Sequence, residues 1–287
     1  MNAETQVKSL CTQYSTSSGP AQKIISYTYF EGEFSKSMSY ENFLGNIATL
    51  TKRAKEFYPG WVIRLHMMRS LYYDTSYYPM LCNLTCENIN IDICILDELD
   101  NEDYDGFSKV QKNGRFWRYL PLLDELVDVF ISRDVDSEIL DREASAVDDW
   151  LKSNLSYHII RDHPRHCWAA YPILAGLFGA KIGQVRSKHL PMWKDYVYSK
   201  VDQRKQQDQY QLKTKIYDVV KSDLMEHDSY CCEMFEAAVK LPFKIKRNEK
   251  GDFCGGGRRW ESSVKEILDE PCPEKCRPIN HPNWTYC

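Results

Sequence analysis

Residues 127–137 read VDVFISRDVDS, a β-branched, apolar run that changes abruptly to charged residues. The run Val127–Ser132 predicts a strand. Asp134 and Asp136 follow it two positions apart, so in an extended chain their carboxylates point to the same side. Carboxylate oxygens are ligands that Mg²⁺ and Mn²⁺ prefer, and both ions often share them with a diphosphate. The stretch therefore predicts a strand that carries a Mn²⁺ or Mg²⁺ site at its carboxyl end.

The same acidic pair has a structural alternative. Acidic residues are favourable at helix N-termini, and Asp136 or Ser137 could cap a helix whose apolar face runs over 140–151. A second D-x-D pair, Asp103 and Asp105, lies in an acidic loop and does not follow an apolar strand. Spacing alone leaves metal binding and helix capping both open.

Strand and helix patterns alternate over the first 160 residues. Further strands are predicted at Lys23–Phe30, Trp61–Met67, Asn90–Leu96 and Tyr157–Arg161, and helices at 43–57, 115–123 and from Ser137 onward. This order predicts an α/β fold with a Rossmann-type mixed, mostly parallel sheet flanked by helices. Ligands of such sheets bind at the carboxyl ends of the strands. Residues 173–181 predict a tight turn or short helix, and residues 193–220 a long helical region.

Composition excludes several classes of protein. The chain has 287 residues, with 37 Lys plus Arg against 41 Asp plus Glu, and a formal charge of −4. That balance argues against a general nucleic-acid binder, which is usually strongly basic. No run approaches the roughly 18 apolar residues of a membrane span, so none is expected in this chain.

The cysteines indicate an oxidising compartment. The chain has 11 cysteines, and N-x-S/T sequons occur at Asn83, Asn154 and Asn283. We expect the secretory-pathway lumen, Golgi-like, or secretion. The alternative is a cytoplasmic protein, because no classical signal peptide is visible at the N-terminus. The spacing C-x3-C-x4-H-x5-C at 272–287 favours disulfides over zinc.

Three motifs around the acidic pair resemble a group of GT-A-fold glycosyltransferase-like proteins of invertebrates and bacteria. They are S-R-D-x-D-S at 132–137, R-E-x-x-A-V-x-x-W at 142–150 and R-D-H-P at 161–164. The resemblance implies a metal-dependent glycosyltransferase with a nucleotide-sugar donor and a D-x-D-bound cation. The acceptor, a glycan, protein or small molecule, stays open. We expect a single GT-A-like catalytic domain at 23–245, between a flexible leader at 1–22 and a Cys-containing extension at 246–287.

The resemblance also suggests roles for residues before and within the D-x-D motif. Arg115 and Arg118 share a helix face and are expected to bind the donor diphosphate, for which the planar guanidinium is suited. The alternative is a solvated face that pairs with the acidic loop at 97–105. Arg133, inside the motif, is expected to contact donor or substrate.

Later positions complete the predicted site. Arg161, Asp162 and His163 end a strand and are expected to contact substrate, the alternative being hydrogen bonds of a Pro-terminated turn. Asp208 matches an acidic element that faces donor or acceptor sugar and is the candidate catalytic residue, unless it is an exposed helical aspartate. His227 is the candidate third metal ligand, unless it is a surface or helix-end histidine.

Two other functions compete with transfer. One is a catalytically inactive GT-A-like binding protein. The other is a nucleotidyltransferase, which generally needs a Gly-rich phosphate loop near its first strand. Only Glu31-Gly32-Glu33 stands there, which disfavours the second alternative.

Overall fold

The computed structural model describes residues 7–30, 44–87, 90–98, 113–199, 206–257 and 270–287. The strands are β1 (Gln22–Thr28), β2 (Val62–Met67), β3 (Ile91–Ile95), β4 (Val127–Ser132), β5 (Tyr157–Arg161), β6 (Phe178–Lys181), β7 (Leu224–Asp228) and β8 (Val239–Leu241). The α-helices are α1 (Gln13–Ser17), α2 (Ile47–Phe57), α3 (Arg69–Tyr72), α4 (Tyr78–Glu87), α5 (Gly114–Trp117), α6 (Asp141–Lys152), α7 (Ile182–Val197), α8 (Gln207–Gln211) and α9 (Asp218–Val220), with a π-helical stretch, Leu212–Tyr217, between the last two.

All the strands belong to one sheet in the order β3-β2-β1-β4-β6-β5-β7-β8. Neighbours pair in parallel except at β6, which is antiparallel to both β4 and β5. The predicted mixed, mostly parallel α/β sheet is therefore confirmed. The carboxyl ends of the parallel strands and the amino end of β6 lie along one edge, which we call the carboxyl edge. Residues that are far apart in the sequence therefore lie close together at the carboxyl edge.

Alternate residues of the central strands pack against helices on opposite faces of the sheet. Ile24 and Phe130 join a core cluster with Trp193 of α7. Their neighbours in sequence, Ile25 and Ile131, join the cluster on the other face, which includes residues of α2, α4 and α6. Burial on both faces explains why the central strands are continuously apolar.

The prediction of a turn or short helix over 173–181 is wrong for its second half. Phe178–Lys181 is strand β6, inserted between β4 and β5. Position 179 favours glycine, because a Cβ there would lie 3.1 Å from Ile131 Cγ2 and 3.2 Å from the Phe130 carbonyl oxygen. Pairing on both sides fixes this segment as a strand, and local sequence carries no signal of such pairing.

The helix after the acidic pair begins later than predicted. It starts at Asp141, and Leu140 occupies the N-cap position without a side-chain hydrogen bond. Ser137 donates its backbone N–H to the Asp134 carbonyl at 3.1 Å and forms an isolated antiparallel bridge with Gly257. The alternative of Asp136 or Ser137 as the helix cap is therefore wrong. Residues 133–140 are instead a connection that lies at the carboxyl edge.

The N-terminal segment contacts the body of the domain. The backbone N–H of Leu10 and the hydroxyl of Ser9 donate to Asp124 at 2.9 and 2.7 Å. Cys11 forms a disulfide with Cys94 on β3. Residues 7–22 thus lie against the sheet, while the division into leader, catalytic domain and extension stays a prediction.

Three further disulfides lie in the second half of the chain. They are Cys167–Cys231, Cys232–Cys276 and Cys272–Cys287. Two of them join the C-terminal residues to one another and to the segment after β7. Within the described ranges no helix is both long and apolar enough to cross a bilayer. Asp103, Asp105 and the Glu31–Glu33 run lie outside the described residues.

Candidate functional site

Arg118 joins two of the predicted site carboxylates at the carboxyl edge. Its Nη1 donates to Asp134 Oδ1, and its Nη2 donates to Asp208 Oδ2 at 2.7 Å. The side chains of Arg118 and Asp208 are almost fully buried, whereas that of Asp134 is 48% exposed. Three residues predicted separately thus form one ion-pair cluster, in which Asp134 faces solvent.

The position of Arg118 follows from the way helix α5 is held. Thr28, at the end of β1, donates its hydroxyl to the Gly114 carbonyl at 2.9 Å. Asn113 caps the helix by accepting the Arg115 N–H at 3.3 Å. A Cβ on Gly114 would overlap the ring of Phe30, so only glycine lets α5 lie this close to the end of β1. This contact brings Arg118 to the carboxyl edge.

The electrostatics keep Arg118 charged. Burial alone would lower the pKa of the guanidinium, but Asp134 and Asp208 raise it well above its ordinary value. One cation therefore faces two carboxylates, and Asp136 adds a third nearby in sequence. Asp134, on the exposed side of this cluster, is the carboxylate that a cation in solvent could reach.

Glycines form the walls beside the acidic pair. A Cβ on Gly176, just before β6, would overlap Asp134 Oδ2. A Cβ on Gly257 would lie 3.3 Å from Asp136 Oδ2, and Asp136 is buried. Neither glycine is recognisable as a wall residue from local sequence, because each lies beside the D-x-D motif only through the path of its own later segment.

Arg133 is buried in an ion pair with Glu143, and its expected contact with donor or substrate stays a prediction. Its Nε donates to Glu143 Oε1 at 2.7 Å, and the Tyr58 hydroxyl donates to the same oxygen at 3.0 Å. Its Nη1 donates to the Ser132 carbonyl at 2.7 Å. These partners hold Arg133 under helix α6. The arginine of the S-R-D-x-D-S motif and the glutamate of the R-E-x-x-A-V-x-x-W motif therefore form a buried ion pair with each other.

Arg161 also lies inside the protein. It pairs with Glu226 at 2.9 Å and with Asp228 at 3.4 Å, and it stacks on the ring of Phe235. Burial raises the pKa of Glu226 to about 7, with Arg161 opposing the shift. Arg161 therefore lies between two buried carboxylates, and its expected contact with substrate stays a prediction.

Asp162 binds two arginines from distant segments. Arg142 Nη2 donates to its Oδ1 at 2.9 Å, and Arg247 Nη2 donates to the same oxygen at 2.6 Å. The Ser229 hydroxyl and the Cys254 N–H also donate to this carboxylate. Burial would raise the pKa of Asp162, but the two arginines hold it below its ordinary value. Asp162 is fully buried, and it links Arg142 of helix α6 to Arg247 and Cys254 much later in the chain. Its expected contact with substrate stays a prediction.

His163 begins the short 3₁₀ turn at 164–166. Its Nδ1 accepts the Arg165 N–H at 3.0 Å, and its ring lies 4.3 Å from the ring of Phe253. These contacts agree with the alternative of a Pro-terminated turn. The expected contact of His163 with substrate stays a prediction.

His227 lies between strands and helix α6. Its Nδ1 is 2.9 Å from His158 Nε2, and its Nε2 is 3.6 Å from Asp149 Oδ2. Burial lowers the pKa of His227, against the opposing effect of Asp149. In the ranges that the structure describes, no three His, Cys, Asp or Glu side chains are grouped closely enough to hold a metal ion. The structure therefore does not bring His227 together with Asp134 and Asp136.

Arg115, the other predicted phosphate ligand, is partly exposed on α5. Its guanidinium lies 5.4 Å from the centre of the Phe30 ring, while Arg118 points to the carboxylates. The two arginines therefore have different surroundings despite their common helix face. Of the residues predicted for the site, the structure brings together Arg118, Asp134 and Asp208.

Comparison with known proteins finds likeness to solved structures. No family model matches the chain, and no curated protein matches it. A solved glycosyltransferase, involved in the glycosylation of the major capsid of PBCV-1, is similar with a TM-score of 0.37 and 13% identity. The match covers 74% of this chain and 83% of that one. The fold described above rests on the strand pairings of this chain alone.

Proposed function

We propose that this protein is a glycosyltransferase that uses a nucleotide-sugar donor and a divalent cation. The observation that carries the proposal is the cluster of Arg118, Asp134 and Asp208 at the carboxyl edge. In open α/β sheets, ligands bind along this edge. A guanidinium suits the oxygens of a diphosphate, and the half-exposed carboxylate of Asp134 suits a divalent cation. The motif resemblance supports the same chemistry.

The residues present fit Mn²⁺ or Mg²⁺. Mg²⁺ commonly binds proteins through one or two carboxylates and takes its other ligands from water and substrate phosphates. Asp134, half exposed, and Asp136, two residues on, would supply these carboxylates. When bound, the cation would neutralise charge on the leaving diphosphate. A third protein ligand is not required for such a site.

The chain's own residues would position the donor. Arg118 is fixed by Asp208 on one side, so its other guanidinium nitrogen is directed to the position of Asp134. A diphosphate arriving at this edge would compete with Asp134 for Arg118. Asp134 would then turn toward the cation, while Asp208 keeps Arg118 in place. In this proposal Asp208 lies beside the transferred sugar, as the resemblance implies.

A protein that binds the donor without catalysis is the second candidate. It is favoured by one observation, since Arg118 already pairs with both Asp134 and Asp208 in the folded chain. An ion pair stabilises the charged form of a carboxylate and so opposes its taking up a proton. Release of nucleoside diphosphate from a nucleotide sugar distinguishes the two candidates. Transfer of a nucleoside monophosphate with release of pyrophosphate would instead indicate a nucleotidyltransferase.

The test uses thermal unfolding and donor turnover of the full chain. Mn²⁺ with UDP or GDP should raise the Tm of the wild type, because a ligand that binds only the folded state stabilises it. Asp134→Asn and Asp136→Asn should each lose this shift and nearly all release of nucleoside diphosphate. The matched control is Asp128→Asn, an exposed aspartate on the same strand. A full Mn²⁺ response in both site variants would refute the metal assignment.

A donor screen then identifies the substrate. Wild-type protein is incubated with UDP-, GDP- and CMP-linked sugars and Mn²⁺, and the released nucleotide is measured. Turnover of one donor that falls in Asp208→Asn, with nucleotide binding retained, would support catalysis. Binding without turnover of any donor would favour the second candidate.

A further inference from the structure

Trp168 is exposed in a protein whose other described tryptophans are largely covered. Its exposed fraction is 59%, whereas Trp61, Trp117, Trp150 and Trp193 are buried to 4% exposure or less. It lies in the loop between β5 and β6, which begins at the carboxyl edge of the sheet. Tryptophan combines a large apolar ring with one polar N–H, and this combination is enriched at binding interfaces.

The exposed ring is held in a defined position. Cys167, the residue before it, is fixed by its disulfide to Cys231. The Tyr171 N–H donates to the Trp168 carbonyl at 2.8 Å and closes a turn. The rings of Trp168 and Tyr171 meet edge to face at 5.5 Å. The backbone on both sides of the ring is restrained, so less conformational entropy is lost when the ring binds a ligand.

Two contacts join the loop that carries this ring pair to the candidate site. The Tyr171 hydroxyl donates to Gln206 Oε1 at 3.3 Å, and Gln206 immediately precedes the helix that carries Asp208. Farther along the same loop, the Ala175 carbonyl accepts the Ser132 hydroxyl at 2.8 Å. The loop that presents Trp168 therefore also contacts the end of β4, where the D-x-D motif begins.

The chemistry around the ring suits a sugar better than an apolar partner. A pyranose has an apolar face of C–H groups that packs on an aromatic ring, and hydroxyls at its rim that need planar polar groups. Tyr171 and Gln206 supply such polar groups beside Trp168. A protein partner would bury roughly 800 Å² on this side. Within the loop 162–177, Trp168 is the one large apolar residue that is exposed. A single side chain offers far less apolar area than such an interface needs.

We propose that Trp168 and Tyr171 form an acceptor platform and that the acceptor is a saccharide. The proposal rests on the proposed function, because it assigns the second substrate of the same site. Transfer to a peptide or lipid acceptor without involvement of this ring is the competing outcome.

The first experiment measures sugar binding without any turnover. Saturation-transfer NMR on the full chain uses lactose, cellobiose, maltose and N,N′-diacetylchitobiose as probes. Wild type should bind at least one of them, and Trp168→Ala should weaken that binding about tenfold, the size expected for loss of one aromatic stacking contact. Trp168→Phe should retain most of it. The control is Trp284→Ala, which removes a tryptophan stacked on His281 in the C-terminal residues.

The second experiment measures transfer. With the identified donor, Trp168→Ala should raise KM for the saccharide acceptor about tenfold with little change in kcat, and it should keep the Mn²⁺–UDP shift in Tm. If the protein binds sugar through Trp168 but releases no nucleoside diphosphate, the proposal of a saccharide platform stands and the proposed glycosyltransferase function is refuted. Equal sugar binding and equal acceptor KM in wild type and Trp168→Ala, or no binding or transfer to any saccharide by wild type, would overturn the platform.

Discussion

Arg118 Nη2 lies 2.7 Å from Asp208 Oδ2, across 90 positions of sequence. Both side chains are nearly excluded from solvent, and Asp134 takes the other side of the guanidinium. Helix α5, which ends next to Arg118, and helix α8, which carries Asp208, are thus coupled through one buried ion pair at the carboxyl edge. The cluster has one charged surface open to solvent, at Asp134.

Removal of Arg118 should destabilise the fold as well as the site. Arg118→Ala leaves Asp208 buried without its cation, and breaking a buried pair in this way costs about 3–5 kcal/mol. Urea unfolding of wild type and variant measures the difference. Arg118→Ala combined with Asp208→Asn should recover most of the loss, because the orphaned charge is gone. Equal stability of wild type and Arg118→Ala would show that the pair is not formed in solution.

Arg115 tests donor binding without that structural cost. Its side chain is partly exposed and contacts the Phe30 ring. If Arg115 touches the diphosphate, Arg115→Ala should weaken nucleoside-diphosphate binding by about 1.5–3 kcal/mol, as for hydrogen bonds to charged groups. Calorimetry with UDP and Mn²⁺ measures this change. Unchanged affinity would indicate that Arg115 lies on a solvated helix face and does not contact the diphosphate.

Gly176 tests the wall beside Asp134. Gly176→Ala would place a methyl group on Asp134 Oδ2, and the half-exposed carboxylate would have to move. We expect loss of the Mn²⁺-dependent shift in Tm with little loss of apo stability. The matched control is Gly183→Ala, where a Cβ would lie 2.8 Å from the carboxylate of Asp128, away from the motif. Equal loss of the Mn²⁺ response in both variants would argue against a specific wall at Gly176.

Stability should fall on acidification below about pH 6.5, because burial lowers the pKa of several histidines. They are His66, His158, His166 and His227, of which His66 and His166 fall to about 3. These groups stay neutral in the folded state, while the unfolded chain protonates near 6.5. Each fully buried histidine therefore lowers the free energy of unfolding by up to about 1.4 kcal/mol for every pH unit below about 6.5.

Glu226 acts in the opposite direction. Its pKa of about 7 in the folded state lies above the unfolded value, so its contribution to stability grows as pH falls from 7 toward 4.5. Burial raises the pKa of Asp228 as well, so four histidines oppose two carboxyls, and the net change should still be a loss. Urea unfolding at pH 7.5, 6.5 and 5.5 measures it. His66→Gln should flatten the profile, whereas His281→Gln, at an exposed position, should not. A wild type that gains stability on acidification would contradict the assignment.

The disulfides give a prediction about compartment. Denatured, unreduced protein should titrate three thiols, those of Cys82, Cys86 and Cys254, and eleven after reduction. Expression through a secretory pathway should add glycan, because the asparagines of all three sequons are exposed. A digest with and without glycosidase, read by mass spectrometry, measures this. Eleven thiols before reduction and no glycan would favour the cytoplasmic alternative.

The sequence by itself determined the sheet class and the position of the acidic pair. Hydrophobic runs report burial of strands directly, so β1 to β5 were predicted from local pattern, and the change from VDVFI to charged residues located the carboxyl end of β4. Strand β6 was not predictable in this way. Its small, apolar residues suit both a turn and a strand, and only pairing with β4 and β5 decides between them.

Tertiary structure decided which charged residues belong to the site. In the sequence, Arg118, Arg133 and Arg161 are all arginines next to strand or helix ends. The fold places Arg133 against Glu143 and Arg161 against Glu226, where they balance buried carboxylates, and leaves only Arg118 facing the exposed Asp134. A buried charge is stable only with a partner of opposite sign, and that partner comes from a distant segment. Local sequence can therefore propose the charged groups of this protein, but long-range packing divides them between its interior and its site.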